Sequence, residues 1–289
     1  MRQEAYFCTV KELDELGKNN IPRQLISHTH LIYSSPATLA FNSPGAEGFG
    51  VKRAGLAVPD SVMLIVSPGC CGRNTSVLSS MRAYQDRFYY LLMDETDIVT
   101  GRHLKKIPKA VAEICEGLKK KPSVVMICIT CVDALLGTDM ERVCHKAEEY
   151  AGVPVRPCYM YALTREGRKP PMVHVRQSVY SLLEPKKKKG NVVNLLGYFS
   201  PLTDDCELYD LLHGAGVKTI HEISRCKDYA QYQTMSEANF NLVLHPEARF
   251  AAEDFHDRLK IPYIELRRLY QTDKIASQYQ AFGAALGVE

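Results

Sequence analysis

Ser61-Val62-Met63-Leu64-Ile65-Val66-Ser67-Pro68-Gly69-Cys70-Cys71-Gly72-Arg73-Asn74 is the stretch on which the fold turns. Val62 to Val66 are apolar at successive positions, which suits a strand buried on both faces, as in a parallel sheet. A second run, Val124-Val125-Met126-Ile127-Cys128-Ile129-Thr130-Cys131, has the same character and continues into Val132-Asp133-Ala134-Leu135-Leu136-Gly137-Thr138-Asp139. Both runs stop at cysteine and lead into a helical pattern. Ligands of open α/β sheets sit beyond the carboxyl ends of the strands. Cys70 or Cys71, together with Cys131, therefore stands where a cofactor would sit.

Working outward, strand and helix patterns alternate from residue 61. Strands are predicted near 61–66, 87–93, 123–130 and 153–161, and helices near 74–85, 102–119, 138–150 and 172–183. Pro185 to Gly190 interrupts the pattern with the basic run Lys186 to Lys189, which reads as a solvated linker. The alternation then restarts, with strands at 192–197, 217–223, 240–244 and 263–266 and helices at 204–214, 228–235, 246–259 and 271–286. The implied fold class is α/β, with two Rossmann-like lobes built on parallel sheets and right-handed crossovers. The implied domains are 1–185, carrying the cysteine motifs, a linker at 186–190, and a second lobe at 191–289. Val10 to Gly17 reads as a short amphipathic helix. Residues 36–50, rich in Gly, Ser and Pro, read as a loop.

Composition narrows the function classes. A chain of 289 residues with 46% hydrophobic and 24% charged content has the make-up of a globular protein. A net charge of +3 leaves no electrostatic footprint for nucleic acid. No apolar run approaches the ~18 residues of a membrane span, and the N-terminus lacks a signal core, so the expected location is the cytoplasm. Ten cysteines in that compartment stay reduced, which gives weight to metal, cluster or redox roles. Cys115 and Cys144 fall in helical patterns and Cys128 and Cys158 in apolar strands, where cysteine serves as a small hydrophobe.

The Gly69-Cys70-Cys71-Gly72 turn has neither the Lys-Ser/Thr of a Walker A loop nor a G-x-G-x-x-G fingerprint. Thiolates are soft ligands suited to iron–sulfur clusters, and a cubane cluster takes about four of them. A helix beginning at Arg73 or Asn74 would aim its positive end at the turn. Gly69, Gly72 and Arg73 thus frame a cofactor-binding turn whose metal candidates are Cys71, Cys131 and Cys70. Cys128-Ile129-Thr130-Cys131 also spells C-x-x-C, which keeps dithiol redox and zinc readings open. His28-x-His30 places both side chains on one strand face. His103, His145, His174 and His221 show no spacing that gives them a role.

Pro68-Gly69-Cys70-Cys71-Gly72-Arg73 after a strand, then Thr130-Cys131 with Leu136-Gly137-Thr138-Asp139, resembles component 1 of the nitrogenase-type oxidoreductases. Thr100 to Leu104, and Asn239 to Val243 before Ile261-Pro262-Tyr263, resemble further patterns of that family, from about residue 40 onward. The family includes nitrogenase molybdenum–iron subunits, dark protochlorophyllide and chlorophyllide reductases and a tetrapyrrole cyclase of methanogens. The resemblance implies a [4Fe-4S]-type cluster at a subunit interface, with Cys71 and Cys131 matching two family cysteines. A family cysteine about 25 residues before the first has no counterpart in 42–50. Either Cys70 substitutes, or Cys8 folds back, or the cluster has fewer protein ligands. His245, in Asn241-Leu242-Val243-Leu244-His245-Pro246, stands at or beside the cysteine that ligates the active-site cofactor of the nitrogenase α subunit. It is thereby a candidate for a second metal centre or a tetrapyrrole between the lobes. The third domain usual in component 1 subunits is not represented in the sequence.

The resemblance implies an oxidoreductase subunit, in a homo- or heterodimer with a component 1-like subunit, that receives electrons from an ATP-dependent iron protein. The alternative is a non-catalytic two-lobed scaffold for a metal cofactor or tetrapyrrole, an architecture shared with chelatases.

Overall fold

A computed structural model of the chain describes residues 9–17, 19–20, 22, 44–69, 75–160 and 169–286. Cys8, His28, His30, Cys70, Cys71, Gly72 and Arg73 lie outside the described residues. At Val10, residues 44–49, Ser76, Val77, Cys131, Ala134 and Leu135 only the backbone is described.

In chain order the first half runs α1 (Val10–Leu16), α2 (Pro44–Gly55), β1 (Val62–Ser67), α3 (Thr75–Ser79), β2 (Phe88–Leu92), α4 (Glu95–Thr100), α5 (His103–Gly117), β3 (Val125–Ile129), α6 (Cys131–Leu136), α7 (Met140–Ala151), β4 (Val155–Tyr159) and α8 (Pro171–Tyr180). The second half runs β5 (Val192–Leu196), α9 (Glu207–Gly214), β6 (Thr219–His221), α10 (Tyr229–Gln233), β7 (Phe240–Val243), α11 (Arg249–Leu259), β8 (Tyr263–Glu265) and α12 (Thr272–Leu286). Two four-stranded parallel sheets result, in the orders β2-β1-β3-β4 and β6-β5-β7-β8. The expected α/β class with two Rossmann-like lobes is what the chain adopts, and every expected strand is present.

β1 and β3 are buried at every residue, as continuous apolar runs in a two-faced parallel sheet should be. One face of the first sheet (Leu64, Val66, Ile127, Ile129) packs on Ile107, Val111 and Ile114 of α5 and on Met140, Cys144 and Ala147 of α7. The other face (Met63, Ile65, Met126, Cys128) meets α2 and α8, and the same core runs on to Leu196, Val243 and Phe255 of the second half. α8 contacts both β4 and α11, so the two halves share one apolar core across it. The outer face of the second sheet packs on α9 and α12 through Leu195, Leu208, Leu212, Leu242 and Phe282.

One expectation is overturned. Residues 44–50, read as loop, form the start of helix α2. Glycine has poor helix propensity, but tertiary packing supplies most helical stability in proteins. The close approach is visible at Gly55, where a Cβ would lie 2.7 Å from Met63 Cε and 2.8 Å from Cys158 Sγ. Small residues let this helix lie directly on the sheet. The expected helix at 74–85 is also shorter, ending at Ser79 with a separate 3₁₀ turn at Arg82–Tyr84. The basic run is solvent-facing but held down. The Lys188 ammonium donates to the Ser236 carbonyl at 2.6 Å, and that of Lys189 pairs with Glu237.

Candidate metal centre

In each sheet the chain passes from its first strand to one side and then crosses to the other. The carboxyl ends of β1 and β3, and of β5 and β7, are therefore topological switch points, where doubly wound sheets bind ligands. Val66 pairs in register with Ile129, so Ser67 and Thr130 stand side by side at the first of these points. Cys131 follows immediately as the first residue of α6. Gly69 is exposed just past the end of β1. The segment containing Cys70, Cys71, Gly72 and Arg73 leaves from the same end and re-enters the described residues at Thr75.

The polar groups around this point are buried and incompletely paired. Ser67 Oγ, Thr130 Oγ1 and Asp133 Oδ2 are all inaccessible and find no hydrogen-bond partner among the described residues. Such groups normally carry a partner, because an unpaired buried polar atom costs about 1–3 kcal/mol. Lys52 of α2 is 1% exposed, and its ammonium donates to Thr75 Oγ1 at 2.6 Å. It thus meets the residue at which the cysteine-bearing segment returns to the described chain.

His103, to which the sequence assigned no role, belongs here as well. Its Nε2 lies 2.9 Å from Asp133 Oδ1 and its Nδ1 lies 2.9 Å from the Asp97 carbonyl oxygen. The ring thus bridges the Asp97 carbonyl and the Asp133 carboxyl inside the fold. Thr138 Oγ1 also donates to Asp133 Oδ1, at 3.1 Å. Asp97 is fixed as the third residue of α4 by a reciprocal cap with Asp94. Hydrogen bonds from Lys106 and Arg102 hold its carboxyl well below the usual carboxylate range. A continuous polar chain therefore runs from surface Arg102 and Lys106 to Asp133, two residues beyond Cys131. The sequence signal was present in Arg102-His103 opening one helix and Asp133 in the first turn of another, but only the fold brings them together.

The second switch point is built differently. Gly197, directly after β5, has φ +139, and a Cβ there would lie 2.8 Å from the backbone nitrogen of His245. His245 is half-buried after β7, with Nδ1 accepting from the Glu247 amide at 3.3 Å and its ring edge-on to Tyr198. Burial lowers its pKa, against the pull of Glu247 in the other direction. Beneath it the buried Arg176 guanidinium donates to the Gly197 carbonyl at 2.7 Å and the Met172 carbonyl at 2.7 Å, and pairs with Glu247 at 2.7 Å.

The remaining described thiols are not placed as ligands. Cys128, half of the C-x-x-C, is fully buried in the core facing α2 and α8. Burial pushes the Cys144 and Cys158 thiols far up and the Cys226 thiol to about 11, which leaves them inert as nucleophiles. Among the described residues no group of three or more His, Cys, Asp or Glu side chains converges as a metal site. None of the described helices is long and apolar enough to cross a membrane. What the described residues show at the first switch point is the backbone of Cys131 opening α6 beside the buried hydroxyls of Ser67 and Thr130, which find no partner among the described residues. In the sequence both strand ends lead into cysteines, whose thiols are the soft donors a metal–sulfur group takes.

Comparison with known proteins gives the family and the fold. The family model described as Nitrogenase component 1 type Oxidoreductase matches residues 47–289. The chain is 26% identical over 239 residues to the nitrogenase iron-molybdenum cofactor biosynthesis protein NifE of Nostoc sp., covering 80% of this chain and 49% of that protein. It is 27% identical over 224 residues to the protein of the same name from Rhizobium meliloti, covering 75% and 47%. The chain spans about half the length of the curated relatives it matches. In fold it is similar to a solved chain of "Nitrogenase Cp1 at pH 6.5", with TM-score 0.61 and 17% identity over 83% of this chain and 57% of that one.

Proposed function

Because the chain belongs to the nitrogenase component 1-type oxidoreductase family, we propose that it is a component 1-like subunit that holds an iron–sulfur cluster at the β1/β3 switch point. Cys71 and Cys131 are the proposed thiolate ligands, with Cys70 the next candidate. Gly69, Gly72 and Arg73 form the turn that surrounds the cluster. The observation that supports the reading is the adjacency of two strand ends that both lead into cysteines, beside buried hydroxyls without partners among the described residues. When bound, a [4Fe-4S]-type cluster would supply one-electron transfer.

The two proposed thiolates per chain fall short of the four a cubane takes. The proposed assembly is therefore a dimer with a second component 1-like subunit, its thiols completing the set across a two-fold interface. The proposed electron donor is a separate ATP-dependent iron protein, and the proposed setting is the cytoplasm. The chain's own residues have defined parts in this scheme. The His103–Asp133 pair braces the first turn of the Cys131 helix, and the shared core around α8 fixes the two halves so that His245 faces any second centre between them.

A second reading has its own support. The two relatives named above are cofactor biosynthesis proteins, which favours a scaffold that holds a metal cofactor or tetrapyrrole, with His245 as its contact in the second half. Anaerobic reconstitution with iron and sulfide tests the first reading. A broad absorbance band near 400 nm, lost in Cys71→Ser and Cys131→Ser and retained in Cys115→Ser, is the expected result. No band in the wild type would remove the cluster and leave the scaffold reading.

A further inference from the structure

We infer that a cleft between the two halves binds a small organic anion, bearing a phosphate or carboxylate group, through Arg53, Arg87 and Lys227. The inference does not depend on the cluster reading above.

Three elements bring the cations together. Arg53 stands in the last turn of α2, Arg87 directly precedes β2, and Lys227 follows the 3₁₀ turn Ile223–Arg225 beyond β6. With Asp60, Ser224 and others they line one cavity of about 490 Å³. Asp60 and Arg87 come before the first strands of their sheet, so the cleft lies at the amino edge of that sheet, away from the β1/β3 junction. From the second half it takes residues that follow β5 and β6, the strand ends where α/β sheets hold ligands.

The charge in this cleft is one-sided. Among the described residues Asp60 is the one carboxylate of the lining, and the Lys120 ammonium already holds it at 2.8 Å. Asp228, next to Lys227, is committed to the Gln231 amide as the cap of α10. Arg87 is partly buried, yet its hydrogen bonds all go to neutral acceptors. Its Nε donates to the Ser61 carbonyl at 2.9 Å, and its Nη2 to the Leu56 carbonyl at 2.8 Å and the Ser61 hydroxyl at 2.7 Å. Burial pulls its pKa below the ordinary arginine value, with Tyr84 and Asp60 acting the other way. A desolvated cation with no carboxylate bonded to it is costly, and an anion in the cleft would offset that cost. The charged ends of Arg53 and Lys227 find no partner among the described residues. Ser224 Oγ in the same lining is likewise buried without one.

Guanidinium forks match the oxygens of carboxylates and phosphates. The volume falls in the range of about 300–1,000 Å³ typical of small-molecule sites, larger than an inorganic anion needs. Tyr84 and Phe199 add aromatic wall, and the Arg176 guanidinium lies over the Phe199 ring at 4.9 Å. The lining therefore suits an organic body with a charged end.

The test is isothermal titration calorimetry of the purified full chain at fixed ionic strength, with pyrophosphate and malonate as probes. Saturable one-to-one binding of at least one is expected, and the tighter of the two tells phosphate from carboxylate. Arg53→Glu and Lys227→Glu change exposed residues and should each weaken binding about tenfold or more. Lys105→Glu, the same charge change at an exposed site on α5, should leave the affinity within about twofold. Arg87→Lys, which keeps the charge and loses the fork, should also weaken binding while circular dichroism reports an intact fold. A wild type that neither probe saturates, or equal losses in Arg53→Glu, Lys227→Glu and Lys105→Glu, would overturn the inference. Iron uptake is read separately, so the cluster reading stands or falls apart from it.

Discussion

The first and second sheets share one strand order and place opposite chemistry at their switch points. At β1/β3 the buried polar groups are left open: Ser67, Thr130 and one Asp133 oxygen have no partner among the described residues. At β5/β7 the buried cation is closed off, with Arg176 bonded to two carbonyls and to Glu247, and Gly197 pressed against the backbone of His245. Identical topology therefore yields one junction with buried polar atoms that no described residue pairs and one whose buried cation is bonded to its own loops. Function on such a fold resides in the strand-end residues and not in the strand order.

Breaking the closed junction should give the largest effect. Arg176→Ala removes a buried cation from the partly exposed Glu247 carboxylate and leaves the buried Gly197 carbonyl without its donor. That should cost roughly 3–5 kcal/mol, read as a lower urea midpoint. A loss below about 1 kcal/mol would show that the second junction is not held this way.

His174, two residues before Arg176 on α8, sharpens the comparison through pH. Its ring stacks edge-on against Tyr159 of the first sheet at 4.3 Å, and burial lowers its pKa to about 4. The unfolded chain takes up a proton near pH 6.5, which the folded chain resists until about pH 4. This group's contribution is therefore complete above the unfolded value and is lost as pH falls toward the folded one. Stability should decline by up to about 3 kcal/mol over that window, and by visibly less in His174→Gln. Equal declines in both proteins would contradict the burial of this imidazole.

A paired glycine test asks whether the two junctions differ in room. At Gly197 a side chain meets the His245 backbone at 2.8 Å and φ is +139, so Gly197→Ala should destabilise by about 1–3 kcal/mol. At Gly69 no described residue lies within 4 Å of where a Cβ would go, and Gly69→Ala should stay within about 0.5 kcal/mol. Similar losses in thermal midpoint would erase the distinction.

The smallest effect concerns the connection between the halves. We propose the domain boundary at 186–190, and trypsin should cut there at the exposed Lys186, Lys187 and Lys189. The nicked halves should still co-elute on size exclusion, because α8 carries one core through both. Separation of two free lobes would contradict that shared core.

Much of this architecture was legible in the sequence because parallel strands buried on both faces write themselves as unbroken apolar runs. Val62–Val66 and Val125–Ile129 are examples, and Pro185 to Gly190 marked the restart of the pattern. Helix α2 was not legible, since its glycines carry no helical signal and make sense only once Gly55 lies against Met63 and Cys158. Cys131 and His245 were found as strand-end residues. Lys52, His103, Asp133 and Arg176 were not, because each matters through a partner distant in sequence: Lys52 meets Thr75, and His103 meets Asp133 thirty residues away. Pairings of that kind are set by which helix lies on which face of the sheet, and periodicity does not encode them.

The central claim is that the first junction, and not the second, holds the cluster. Its most direct test is bound iron per chain after anaerobic reconstitution of wild type, Cys131→Ser and His245→Ala, each confirmed folded by circular dichroism. The account predicts that Cys131→Ser loses most of its iron while His245→Ala retains the wild-type amount. Iron retained in Cys131→Ser and lost in His245→Ala would contradict it.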